Sequence, residues 1–397
     1  MTVAIPLGYR LAGVHSGVKR NTNKPDLSLI VSDLPATGAG VYTTNLVFGA
    51  PVGRNRALTP GNDFRVIVTN SGVANACTGE RGDRDADEMG RLAAEAIGAT
   101  PNQALVMSTG VIGTFLPMEK IAAGIQAAAA QLGTDDKSLE QAARGMMTTD
   151  TYPKIAGRTL TIRGKTVHVC GVAKGAAMIG PKMATMLAAI LTDAALTPDD
   201  AQSLLFRASD DSFNCISVEG HMSTSDTVLL LANGAACADP LQGEDLDELY
   251  GAVHEVCREL AMAIVADGEG ATHLITIDVT GCTDRESAHR IAKTVGESAL
   301  VKTAITGGDP NWGRIVSAAG YAGVPFDPTG VSLKVNGFQL YEGGAPVPFD
   351  AAAVSASIKG SRDTHIELAF AEGTAGIRFW TTDLTAEYVR LNADYTT

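Results

Sequence analysis

The stretch TLTIRGKTVHVCGV (159–172) alternates apolar and other residues on both sides of Arg163-Gly164-Lys165, so it reads as two antiparallel strands joined by a tight turn. A hairpin of this kind excludes a chain built purely of strand-helix-strand units, because parallel neighbours need long crossovers instead of a sharp reversal. Further β-branched or alternating runs are FRVIVTN (64–70), ALVMST (104–109), TVLLLAN (227–233), THLITIDVTG (272–281), HIELAF (365–370) and AGIRFW (375–380). Helical spacing, with Asp or Thr-Pro starts and Gly ends, marks RDADEMGRLAAEAIG, PMEKIAAGIQAAAAQLG, TPDDAQSLLFRASD, LDELYGAVHEVCRELAMAIVADG and DRESAHRIAKTVG. The pattern predicts a mixed α/β fold, with a mixed sheet flanked by helices rather than a doubly wound one.

The chain has 397 residues and 45% hydrophobic content, enough for a large core and more than one average domain. Its formal net charge of −13, with no local basic patch, argues against nucleic acid or an anionic membrane surface as partner. The N-terminus lacks a basic segment followed by an uninterrupted apolar one, so a cytoplasmic protein is expected. Apolar runs such as MLAAIL and VLLLA are far shorter than the roughly 20 residues of a membrane helix. Cys77, Cys170, Cys215, Cys237, Cys257 and Cys282 are scattered without a C-x-x-C pair and read as mostly buried free thiols. His254 and Cys257, three apart on a helix, read as packing residues, since two ligands without a second pair are a weak metal signal.

Two segments invite a chemical reading. RGKT (163–166) looks like the end of a phosphate-binding loop, but the glycine such a loop places ahead of its Gly-Lys-Thr falls on Thr159, inside a strand. The second is KGAAMIGPKMATMLAAILTDA (174–194), a Gly-Pro loop that brings Ala184-Thr185 to the mouth of an apolar run, which reads as a buried helix. A Thr pressed against the preceding carbonyl can attack it with its hydroxyl, moving the acyl group from N to O. Hydrolysis then frees an N-terminal Thr carrying a nucleophile and, with an amine pKa of about 8, its own general base. By itself an Ala-Thr at a helix start is a cap or core hydroxyl.

AKGAAMIGPKMATMLAAILTDA is similar to the self-cleavage segment of the ornithine acetyltransferase (glutamate N-acetyltransferase) family of the cyclic arginine pathway, which splits before the Thr of its M-A-T-M. NSGVANACTG (70–79), STGVIG (108–113), MTTDTYPK (147–154), DDSFNCISVEGHMSTSDTVLLLANG (210–234), VADGEGATHLITI (265–277), VKTAITGGDPNWGRI (301–315) and LNADYTT (391–397) resemble the same family in the same order. The chain departs from the family pattern at Ala176-Ala177, at Lys182 and at His221-Met222.

The resemblance implies two mixed β-sheets sandwiched between helical layers, of the N-terminal-nucleophile type. It implies a cut at Ala184-Thr185, giving an α chain of residues 1–184 and a β chain of residues 185–397 intertwined in one globular unit, with two of each in a heterotetramer. Thr185 becomes the nucleophile, and Thr109 and Gly110 the oxyanion hole. Thr151, Lys174, Glu269, Asn392 and Thr397 line the amino-acid pocket together with Thr185, Lys174 facing a substrate carboxylate and Glu269 an ammonium. The implied reaction moves an acetyl group from N2-acetylornithine to glutamate through acetyl-Thr185, with no metal or cofactor, and leaves open whether acetyl-CoA is a second donor. An acyltransferase of a secondary-metabolite pathway, a self-processed amidase or aminopeptidase of the same fold, and an unprocessed binding protein are the alternatives at this point.

Overall fold

The computed structural model describes residues 3–180 and 186–394. The strands are β1 (Tyr9–Val14), β2 (Leu27–Tyr42), β3 (Gly61–Val73), β4 (Ala104–Val111), β5 (Lys154–Ile162), β6 (Lys165–Lys174), β7 (Leu187–Ala194), β8 (Ile216–Ser217), β9 (Thr227–Cys237), β10 (Leu274–Cys282), β11 (Ser332–Val335), β12 (Phe338–Glu342), β13 (Ala345–Pro346), β14 (Asp363–Ala369) and β15 (Ala375–Thr382). They form two mixed sheets. The first runs β4-β3-β2-β9-β7-β6-β5, with β1 also paired to β2, and the second runs β13-β12-β11-β14-β10-β15-β8.

The hairpin read from the sequence is present: Ile162 pairs with Lys165, and Arg163 and Gly164 turn the chain at φ of 52° and 72°. Positive φ at both turn residues matches the right-handed twist of the flanking strands. The apolar run after residue 185 is a correction to the helix expected there. It forms β7, antiparallel to β6 and parallel to β9, with all eight residues buried. A strand covered on both faces reads as a continuous apolar run, which periodicity does not distinguish from a short buried helix.

The covering layers explain that burial. On one face of the first sheet, Leu187, Leu191, Leu229 and Leu231 share a core with Leu139, Ala142 and Met146 of helix Asp136–Met146. On the other, Ile190 and Leu230 meet Leu205 of helix Pro198–Asp210 and Val256, Leu260 and Ile264 of helix Glu244–Ala266. Helices Gly79–Ala96 and Met118–Ala129 cover Val66 and Val68 further along this face. The long helix also reaches the second sheet, whose Ile277 and Phe379 pack with Ile291 and Val295 of helix Arg285–Glu297. Thr197 and Asp284 cap their helices as the sequence predicts, accepting from Asp200 N at 3.2 Å and Ser287 N at 2.7 Å. Five of the cysteines are buried and Cys77 is exposed. His254 stacks on Tyr250 with ring centroids 5.9 Å apart, while Cys257 sits in the core, so this pair packs as expected. Among the described residues no helix is long and apolar enough to cross a membrane.

Candidate active site

A cavity of about 380 Å³ opens where strand ends and loops from both sheets converge. One wall is the end of the β3-β4 pair, where Gly72 registers with Gly110 and Ser71 with Thr109. Thr109 is buried, and Gly110 has φ +131°, with a Cβ there falling 2.3 Å from the carbonyl carbon of Gly72. Only glycine allows the two backbones to approach so closely. Thr109 and Gly110 both line the cavity, as do Lys174, Glu269 and Asn392.

Lys174 ends β6 and is 2% exposed, its Nζ donating to Thr148 Oγ1 at 3.2 Å. Burial lowers its pKa, against the raising influence of Asp150, Asp226 and Glu269. Lys19 joins it on the wall, tied to the carbonyls of Met147 at 2.6 Å and Pro25 at 3.0 Å, and burial brings its pKa down to about 8. Behind them lies a buried ion network. Lys154 Nζ reaches Asp150 and Asp267 at 2.7 Å each, and Asp150 also accepts from Gly175 N at 2.7 Å and Thr148 N at 2.9 Å. Burial alone would raise the Asp150 pKa, but Lys154, Lys174 and these hydrogen bonds hold it at about 2.

Thr151 does not line the cavity. Its hydroxyl and amide both donate to Asp267, so the chain presents Thr148 and Thr149 instead. Asn392 comes from helix Ala386–Asp394 and donates to Glu269 Oε2 at 3.1 Å, so a segment near the chain end is tied to the cavity. Thr185 and Thr397 lie outside the described residues. The residues flanking 181–185 are held nonetheless. Ile179 O accepts from Val218 N at 2.8 Å and Gly220 N at 3.1 Å, and a Cβ on Gly180 would fall 2.5 Å from Gly220 carbonyl carbon. On the far side, Met186 N donates to Asp226 Oδ1 at 3.1 Å and Met186 O accepts from Thr227 N. Ile179 and Met186, on either side of residues 181–185, are therefore both anchored to the segment 217–227, and Ala177 and Met178 line the cavity.

Sequence reading missed Asp150, Glu219 and Asp226, although MTTD and VEGHMSTSD contain them. Asp226 is fully buried, and burial raises its pKa well above the ordinary carboxylate range. Its Oδ1 anchors Met186 N on the far side of residues 181–185, and Lys174 opposes the rise.

The sequence model of the ArgJ family matches residues 10–397. The arginine biosynthesis bifunctional protein ArgJ of Rhodopirellula baltica is 47% identical over 396 residues, spanning 99% of this chain and 96% of that protein. The protein of the same name from Geobacter sulfurreducens is 44% identical over 393 residues, 98% of this chain and 99% of its own. Among solved structures, a chain of arginine biosynthesis bifunctional protein ArgJ from Bacillus halodurans matches at a TM-score of 0.51 and 35% identity, covering 52% of this chain and 98% of that one. With nearly its whole length matched by the family model and by relatives of this identity, the chain belongs to the ArgJ family.

Proposed function

We propose that this protein is a self-cleaving acyltransferase of arginine biosynthesis that carries an acetyl group from N2-acetylornithine to glutamate through an ester on Thr185. The observation that carries the reading is the company the cavity keeps. Two lysines and two carboxylates, Glu219 and Glu269, share its wall with a Thr109-Gly110 strand end, beside the segment that leads into Thr185.

In the first step the Thr185 hydroxyl attacks the Ala184 carbonyl, the amide C–N bond breaks to leave an ester and a free Thr185 amine, and water then cleaves the ester to give the Ala184 carboxylate and the Thr185 hydroxyl. The strands that flank the cut, β6 and β7, are neighbours in one sheet, so fragments 1–184 and 185–397 remain together. A solved relative whose chain is almost wholly covered yet spans only 52% of this one has the size expected of one such fragment. Two pairs of fragments make the assembly we expect.

In the transfer cycle Thr185 Oγ attacks the acetyl carbonyl while its own amine takes the proton. Negative charge develops on the carbonyl oxygen, where the Thr109 hydroxyl and the Gly110 N–H donate. A single donor of this kind is worth about 2.7–4 kcal/mol of barrier. The intermediate collapses, ornithine leaves with the proton, and the α-amine of glutamate attacks the acetyl ester to give N-acetylglutamate and free Thr185. The cycle as written uses no metal or cofactor. Lys174 holds the α-carboxylate common to both amino acids, Glu269 faces the ornithine side-chain ammonium, and Asn392 orients Glu269. The family resemblance adds Thr397 to the substrate-binding residues, and Thr151 acts by positioning, through Asp267 and Lys154.

Intact mass under denaturing conditions tests the reading. A fragment beginning at Thr185 should appear and gain one acetyl group on exposure to N-acetylornithine, and glutamate should discharge it. Free acetate without acetylated glutamate would make the protein a hydrolase instead, and a single uncut chain would remove the mechanism. Lys174→Ala should raise KM for N-acetylornithine by about tenfold or more, the scale of a lost charge-assisted hydrogen bond, with little change in the melting temperature. An unchanged KM would assign Lys174 a purely structural place.

A further inference from the structure

A ping-pong cycle on one Thr185 puts two amino acids in the same cavity in turn. They share an α-carboxylate, but one side chain ends in an ammonium and the other in a carboxylate. A wall of fixed charge would attract one and repel the other, and inside a protein that difference is large. A group that changes its own charge resolves the conflict.

Glu219 has the placement for this. It lines the cavity, and both its carboxyl oxygens are buried with no side-chain hydrogen-bond partner among the described residues, only the backbone at Ile179 and His221 lying near enough to favour its charged form. The nearby cation does not pair with it: Lys302 Nζ is engaged by Val218 O at 2.5 Å, Thr381 Oγ1 at 3.1 Å and Thr382 Oγ1 at 3.2 Å. Glu269, by contrast, already has Asn392. A buried carboxylate that no cation pairs with directly is costly, so burial favours the acid.

We propose that Glu219 is the charge-switching specificity residue of this cavity: ionised, it pairs with the side-chain ammonium of N-acetylornithine, and protonated, it donates a hydrogen bond to the side-chain carboxylate of glutamate or N-acetylglutamate. The inference rests on the acetyl-transfer reading. When the ammonium enters, the carboxyl proton passes to water, and when ornithine leaves, a proton returns before glutamate binds. Glu219 then adds to Glu269 in holding the ammonium and, once protonated, removes one of the two negative charges before glutamate binds.

The surroundings favour switching near neutral pH. Burial pushes the Glu219 pKa up to about 8, with the backbone at Ile179 and His221 and the charge of Lys302 opposing and Glu269 reinforcing the rise. Tyr388, on helix Ala386–Asp394, also faces the pair, and burial together with Glu219 and Glu269 takes its pKa up to about 12. His221 lies two residues along the same loop. Glu297, at the end of helix Arg285–Glu297, abuts Gly220 and is held by Lys293 at 2.5 Å and Ser217 at 3.3 Å.

The test compares two acyl donors that lack a free α-amine, N-acetylornithine and N-acetylglutamate, the second running the transfer in reverse. Their second-order rates of Thr185 acetylation are measured by intact mass from pH 6.5 to 9. Titration of the nucleophile and of its amine is common to both and cancels in the ratio. Because one donor needs ionised and the other protonated Glu219, the ratio of N-acetylornithine to N-acetylglutamate should rise by about tenfold per pH unit around pH 8. In Glu219→Gln, which is neutral throughout, the ratio should lose this slope and lie at least about tenfold below wild type at pH 9. A flat ratio in the wild-type protein overturns the proposal whether or not the variant folds, and a slope that persists in a folded Glu219→Gln moves the switch to another group. Acetylation from neither compound removes the acetyl-transfer reading itself, a result separate from a flat ratio.

Discussion

Replacing Thr185 by alanine should leave one full-length chain and lower acetyl transfer by at least about 10⁴-fold, the scale on which loss of a nucleophile is felt. Two readouts are expected to fail together, because in the proposed mechanism the same hydroxyl cuts the chain and carries the acetyl group. Intact mass would show an uncut chain with no acetyl adduct, while the melting temperature should change little: the flanking anchors, Ile179 on the 217–220 segment and Met186 on Asp226, do not involve the Thr185 side chain. A variant that still breaks between Ala184 and residue 185 would take Thr185 out of the mechanism.

The second large effect is on stability. Lys154→Met should cost about 3–5 kcal/mol in denaturant unfolding, the usual result of removing one member of a buried ion network. Lys154 is 1% exposed, and its loss strands Asp150 and Asp267 without their shared cation. The same network makes the protein acid-sensitive. The Asp150 pKa is held at about 2, below its unfolded value of about 4, so its contribution is complete above pH 4 and fades as pH falls toward 2. A loss below about 1 kcal/mol for Lys154→Met would mean that the carboxylates protonate or rehydrate at small cost.

The strands with a single buried face and the capped helices were legible because their patterns are local: alternation in 159–172, Thr-Pro at 197, Asp at 284. Segment 187–194 was read as helix since a strand buried on both faces carries no alternation. β2 was not seen at all. Its register shifts around Ala36 and Gly38 break the period of two, and the stretch Leu34–Ala36, with a proline, reads like a loop. In the cavity, motif resemblance gave Thr109, Gly110, Lys174, Glu269 and Asn392, all of which converge. It could not give Glu219 or Asp226 a role, because what distinguishes those carboxyls is burial that outweighs the nearby lysines, a property of the assembled walls. Thr151 was placed in the pocket from its motif, yet its hydroxyl turns toward Asp267, a partner 116 residues away.

The strand order of the first sheet has a consequence for a protein cut at residue 185. Reading across it, β4, β3 and β2 belong to the first piece, β9 and β7 to the second, and β6 and β5 to the first again. The second piece is dovetailed into the first, gripped by six residue pairs along β2 and six along β6. Dilution cannot part such pieces without unzipping both flanks. If the proposed cut is made, the nicked protein should unfold in one transition, as a single chain does.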